Sequence, residues 1–210
     1  MSAPRVAPPE LQPASFAFTG ENMAKANKQV AKYPAGRQQS AVMPLLDLAQ
    51  RQNGGWLPEA AIRMVAEFLG MPYIRAYEVA SFYTMYNLAP VGRHFVQVCT
   101  TTPCWLRGSA DVVEACKKTL GIGMGETTAD GLFTLREVEC LGACVNAPMM
   151  QINDDFYEDL DADSAAKVLE ALRRGERPKV GPQNGRQASA PIGGPTTLNA
   201  PNTAPLGGDD

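Results

Sequence analysis

The 210-residue chain has one histidine, His94. A Rieske centre needs two imidazoles on one of its irons, so that chemistry is excluded. No uncharged apolar run reaches the roughly 18 residues that span a bilayer, so direct membrane insertion is not expected. Residues 1–20 lack a basic stretch followed by an apolar one, and they lack the several arginines of a transit peptide. Neither a secretory signal nor a transit peptide is therefore read there. Basic residues are slightly outnumbered, 19 Lys and Arg against 22 Asp and Glu, for a net charge of −3. A chain of that balance repels phosphate backbones, and nucleic acid is not an expected partner. What remains is thiol chemistry. Five cysteines without an export signal point to a reducing compartment, where clustered thiols act as metal ligands or redox groups in preference to disulfides.

Residues 1–17 read as a flexible segment, with four prolines in the first thirteen positions. Residues 179–210 read as a disordered tail. From Gly181 onward it holds five prolines, six glycines and no aromatic residue, too little apolar surface to offset its ordering entropy. Residues 18–90 read as a helical interaction domain. Thr19 caps a helix to about Lys32, and a second runs from about Arg37 to Arg51, bent or restarted at Pro44. A third starts at Pro58 and stops at Leu69-Gly70. A fourth carries Val79, Phe82, Tyr83 and Tyr86.

At residue 91 the pattern changes. His94 to Val98 alternates like a strand, and a helix is expected over Pro103–Leu120. Leu132–Glu139 forms a second strand. Met149–Leu160 forms a hairpin turning at Asn153-Asp154, and a last helix, capped by Asp161 or Asp163, runs to about Arg174. The order β-α-β-β-β-α over residues 91–178 predicts a small sheet with helices packed on it, and an α+β chain overall.

Cys99 and Cys104 enclose four residues, Cys140 and Cys144 enclose three, and 35 residues separate the pairs. One pair lies where a strand hands over to a helix, the other in the loop leaving a second strand. If those strands are neighbours, all four thiols meet at one edge. Four thiolates suit one zinc ion or an iron–sulfur cluster. Zinc knuckles are usually shorter and closer together, whereas two separated pairs match the two irons of a [2Fe–2S] group. Both options, and a thiol relay, stay open at this level. The two-residue spacing of catalytic Cys-X-X-Cys dithiols is absent from both pairs. The helix start at Cys104, Arg107 in its first turn and the flexible Gly142 are expected to place positive dipole, positive charge and backbone N–H near the sulfurs.

Longer motifs narrow the choice. "CTTTPCWLRGS", "GETTADGLFTLREVECLGAC", "NAPMMQIN" and "EVASFYTMYNLAP" all occur in this chain, and together they resemble the thioredoxin-like [2Fe–2S] subunit of respiratory NADH:ubiquinone oxidoreductase, complex I. The resemblance spans roughly residues 18–178. It implies a thioredoxin-like domain over 91–178 and a [2Fe–2S] cluster with Cys99 and Cys104 on one iron and Cys140 and Cys144 on the other. It implies a flavoprotein partner carrying FMN and the NADH site, with the rest of the peripheral arm beyond it. The place it implies is peripheral, on the cytoplasmic side of a bacterial inner membrane or the matrix side of a mitochondrial one. On that reading the chain is a subunit of an NADH dehydrogenase, carries no catalytic residue of its own and passes single electrons. Two other functions are weighed beside it: the equivalent subunit of an NAD-linked hydrogenase or formate dehydrogenase, and an assembly subunit in which metal only staples the fold.

The remaining candidates have plainer readings. Cys116 shares a helix face with Val112, Val113 and Leu120 and reads as core. His94 reads as a structural strand-edge residue. "GIGMG" lacks the third glycine of a nucleotide loop and follows a helix instead of opening one. Residues 58–90 mimic a helix-turn-helix but carry no basic face. Phe82, Tyr83 and Tyr86 read as core, and Trp105 as either a cluster shield or a partner contact.

Overall fold

The computed structural model describes residues 6–191, 193, 194 and 197. The chain divides into two compact units, Met1–Arg93 and His94–Asp210.

The first unit is helical: α1 (Gly20–Val30), α2 (Val42–Gln52), α3 (Glu59–Phe68) and α4 (Tyr73–Phe82). The Thr19 hydroxyl caps α1 by accepting the Asn22 N–H at 3.3 Å. Pro44 lies in the first turn of α2, where its missing N–H costs nothing, and a 3₁₀ turn at Gln38–Ala41 leads into it. Pro44 therefore sits at a restart and does not bend a longer helix. Leu45, Leu46, Ile62, Val65, Ala76 and Ala80 form the core of this unit. Gln50 joins α2 to the segment after α4: it donates to the Met85 carbonyl at 2.9 Å and accepts the Asn87 N–H at 2.7 Å. Helix α4 ends at Phe82, so the expected aromatic stripe splits. Tyr86 is buried and donates to the Met43 carbonyl, whereas Phe82 is 77% exposed and Tyr83 40%. The described part of the N-terminal segment is not loose. The Ala7 N–H donates to the Leu88 carbonyl at 2.8 Å, Gln12 accepts the Glu59 N–H, and Phe16 packs on the core. Its prolines shape a turn that the core then holds.

The second unit contains β1 (His94–Cys99), α5 (Thr102–Leu106), α6 (Ser109–Leu120), β2 (Phe133–Val138), β3 (Met150–Ile152), β4 (Asp155–Glu158), α7 (Ala162–Arg173) and β5 (Gly181–Pro182). The strands form one mixed sheet in the order β2-β1-β3-β4-β5. Strand β1 is parallel to β2 and antiparallel to β3, β3 and β4 form the expected hairpin, and β5 lies parallel to β4. Asn153 makes the hairpin turn at a φ of +55°, a left-handed conformation that asparagine tolerates. Val96, Val98, Val112, Phe133, Leu135, Met150 and Leu169 fill the core between sheet and helices. His94 opens β1, and its ring stacks on its register partner Phe133 at 5.1 Å.

Two further expectations are corrected in this unit. The helix expected over Pro103–Leu120 is two helices, because Gly108 at a φ of +93° breaks it, leaving Cys104 in a single short turn. The tail expected to be disordered from residue 179 is ordered at its start. Gly181 and Pro182 pair with β4, and the residues after them hydrogen-bond to the domain as far as Ala188. Apolar content does not reveal this, because polar and ionic contacts hold the segment. The rest of that tail, residues 192, 195, 196 and 198–210, lies outside the described residues, as do residues 1–5. Among the described residues no helix is long and apolar enough to cross a membrane.

Candidate metal centre

The sheet topology explains why distant cysteines meet. Because β1 and β2 are parallel, their C-terminal ends share an edge, with Cys99 opposite Val138 in register. Cys99 ends β1 and Cys104 follows in α5. Cys140 lies two residues past the end of β2, and Cys144 opens a 3₁₀ turn, Cys144–Asn146, that leads back toward β3. Strand β3 runs antiparallel to β1 and starts beside Val98, so the second cysteine loop returns to the edge it left.

All four cysteines converge there. Cys99 and Cys104 are buried, at 2% and 1% exposure, against Ala147, Met149, Leu141 and Phe156. Cys140 and Cys144 face outward, with their sulfurs 3.6 Å apart. Two thiolates on one tetrahedral metal at ~2.3 Å stand about 3.8 Å apart, close to that separation. Among the described residues no group of three or more His, Cys, Asp or Glu side chains is placed to hold a single metal ion.

The electrostatics tie the pairs together. Burial pushes the Cys99 thiol up, but hydrogen bonds outweigh it and hold the group below the ordinary thiol range. They come from the Thr101 hydroxyl and amide, the Leu141 amide and the Cys104 thiol. The Thr101 hydroxyl lies 3.4 Å from the Cys99 sulfur. Cys104 goes the other way, to about 12, through burial first and then through Cys99 beside it. The Cys144 thiol is raised by its contact with Cys140, by burial, and by charge on Cys140 and Cys99. The cysteines of one loop thus feel the charge of the other. The Gly142 N–H points at the Cys140 sulfur at 3.4 Å. Backbone N–H groups reaching sulfur are the means by which a protein steadies a thiolate cluster.

The match to known families settles the kind of centre. Residues 26–173 match the family model "Thioredoxin-like [2Fe-2S] ferredoxin". The chain belongs to the thioredoxin-like [2Fe–2S] ferredoxin family. It is 56% identical over 195 residues to the mitochondrial NADH dehydrogenase [ubiquinone] flavoprotein 2 of Dictyostelium discoideum, covering 93% of this chain and 79% of that one. It is 60% identical over 159 residues to an NADH-quinone oxidoreductase subunit of Rickettsia conorii, covering 76% and 95%. An NAD+-reducing [NiFe]-hydrogenase structure superposes with a TM-score of 0.55 at 21% identity, over 63% of this chain and 23% of that one. That likeness shows the fold alone.

The residues around the cysteine loops have the following surroundings. Arg107 caps the end of α5 and lines an open groove with Asp111, Glu114, Asp161 and Asp163. Trp105 is 65% exposed, its neighbour Leu106 70% and, on the other cysteine loop, Val145 67%. Cys116 is wholly buried in the core, and burial pushes its thiol up to about 12, which leaves it an inert thiol. Sequence reasoning misses Thr101, Leu141 and Met149. Only Thr101, two residues after a cysteine, carries a local signal, because hydroxyls commonly bond to near neighbours in sequence.

Proposed function

We propose that the chain is the [2Fe–2S] electron-transfer subunit of an NADH:quinone oxidoreductase, working beside a flavoprotein that holds FMN and binds NADH. Cys99 and Cys104 would hold one iron, and Cys140 and Cys144 the other. When bound, the group exchanges electrons one at a time, a task no side chain of this chain performs. The chain's part is positional and electrostatic. β1 and β2 carry the cysteines to a common edge, Met149 and Leu141 keep water from the inner pair, and the Gly142 and Leu141 amides offer hydrogen bonds to thiolate sulfur. The outer pair stays near the surface, and the exposed Trp105, Leu106 and Val145 on the two cysteine loops form an apolar rim suited to a protein partner. The helical unit, with Phe82, Ile74 and Met85 exposed, serves as a further contact with that partner. The subunit sits peripherally, on the cytoplasmic face of a bacterial inner membrane or the matrix face of a mitochondrial one, held there by the complex.

The observation that carries this reading is the meeting of two cysteine pairs at one sheet edge with the outer sulfurs at 3.6 Å. Isolation of the chain with its native partners tests it. The preparation should contain an FMN-bearing flavoprotein. Separated from it, the chain should hold about two irons and two labile sulfides and give a paramagnetic signal after dithionite reduction. A colourless chain holding zinc and giving no such signal would overturn the assignment.

A further inference from the structure

A buried ion pair lies directly behind the second cysteine loop. Arg186 and Asp159 approach to 3.0 Å with side chains only 6% and 3% exposed. Charges are seldom buried this far without a reason. Arg186 also donates from Nη1 to the carbonyl of Val145, the residue after Cys144, at 3.0 Å. Asn146 comes next and is 1% exposed. Its Nδ2 donates to Asp159 Oδ2 at 3.2 Å and to the Ala188 carbonyl at 2.9 Å, and its carbonyl accepts the Asp159 N–H at 2.7 Å. Beyond the ion contact, Asp159 Oδ1 and Arg186 Nε have no hydrogen-bond partner among the described residues. The ion contact from Arg186 Nη2 holds Asp159 Oδ1, and removing one partner of the pair leaves the other charge buried and uncompensated.

The chain reaches this point along β5, and the Gln183 N–H continues the pairing by donating to the Glu158 carbonyl at 2.9 Å. Residues 181–188 therefore cross over the Cys144 turn as a strap, and Arg186 and Ala188 bind it through Val145, Asn146 and Asp159. The matched family pattern ends at residue 173, so the strap lies beyond it.

We propose that Arg186 is a positioning residue: through Asp159, Val145 and Asn146 the strap holds the Cys144 turn in its ligating geometry and slows release of the iron held there. This rests on Cys144 being a ligand. Among the described contacts, the strap and Asp159 are what tie the Val145 carbonyl and the Asn146 side chain to the domain, and without Arg186 the buried Asp159 charge would keep only its hydrogen bond from Asn146. Ligand support of this kind is worth about 10- to 100-fold in metal retention.

The test uses the full, iron-loaded chain with Arg186→Gln and Arg186→Lys. Two quantities are read: the rate of iron loss to a chelator, and amide hydrogen exchange across residues 144–147 and 158–160, before and after stripping the iron. The Gln variant should lose iron about 10-fold faster or more. Its 144–147 amides should exchange faster whether iron is present or not, while β1 and α6 keep their protection. Lys keeps the charge without the forked contact and should fall between wild type and Gln. Wild-type iron loss and exchange in both variants would overturn the proposal, as would a rise in exchange spread equally over β1 and α6. If the Gln variant does not accumulate, the same two readings on the Lys variant decide. Cys144→Ala separates the two layers: iron retained at full occupancy there overturns the ligand reading and the strap's role with it, whereas unchanged Arg186 variants overturn the strap alone.

Discussion

At the scale of single residues, the site depends on backbone freedom as much as on sulfur. Gly142 sits between the outer cysteines at a φ of +82°, and its N–H reaches the Cys140 sulfur from that conformation. A Cβ at this position would meet nothing within 4 Å, so the only cost of a side chain is the left-handed backbone itself. Gly142→Ala should lower stability by about 1 kcal/mol, read by thermal unfolding. Gly142→Asn should cost less, because asparagine tolerates that region. Equal losses for the two variants would show that space, not conformation, is limiting. Cys116 makes the opposite point: it is a cysteine with the same atoms and no role at the site, because its helix face turns it into the core.

At the scale of elements, structure is legible in the sequence where the period is local. The alternation from His94, the hairpin turn at Asn153, the caps at Thr19 and Asp161 and the two cysteine loops all come from patterns a few residues long. The break at Gly108 is not legible, since glycine is tolerated inside helices and only the requirement for a φ of +93° ends this one. The last helix offers a measurable case. Asp161 accepts the Ser164 N–H at 2.7 Å and Ser164 Oγ accepts the Asp161 N–H at 2.8 Å, a reciprocal cap on α7. The Ser164 amide, then its hydroxyl, holds the Asp161 carboxyl below its ordinary value of 3.8. A carboxylate lowered on folding adds stability above its unfolded value and loses it as pH falls through the folded one. Asp161→Ala should therefore cost about 1 kcal/mol near neutrality, measured by urea unfolding. That difference should shrink steadily as pH is lowered below about 4. A loss independent of pH would mean the charge plays no part in the cap.

At the scale of the whole molecule, every residue of the centre, from Cys99 to the strap at Arg186, belongs to the unit His94–Asp210. That unit brings together contacts separated by 41 residues (Val145 with Arg186) and by 42 (Asn146 with Ala188). Such contacts leave no period in the sequence, which is why a segment rich in proline and glycine reads as disordered although polar bonds hold its start. The cysteine pairs are nearly as far apart in the chain, yet they are legible, because parallel strands return to one edge and cysteine is chemically conspicuous. Asp159 and Arg186 are ordinary surface residue types until the fold buries them.

On the proposed function, four of the five cysteines hold two irons in pairs and the fifth holds none. Iron content of the five single Cys→Ala chains, prepared alike, tests it most directly, since alanine has no ligand to offer. Loss of the bound group is expected at Cys99, Cys104, Cys140 and Cys144, and retention of about two irons per chain at Cys116. A full complement of iron after replacing any of the four, or its loss only at Cys116, would contradict it.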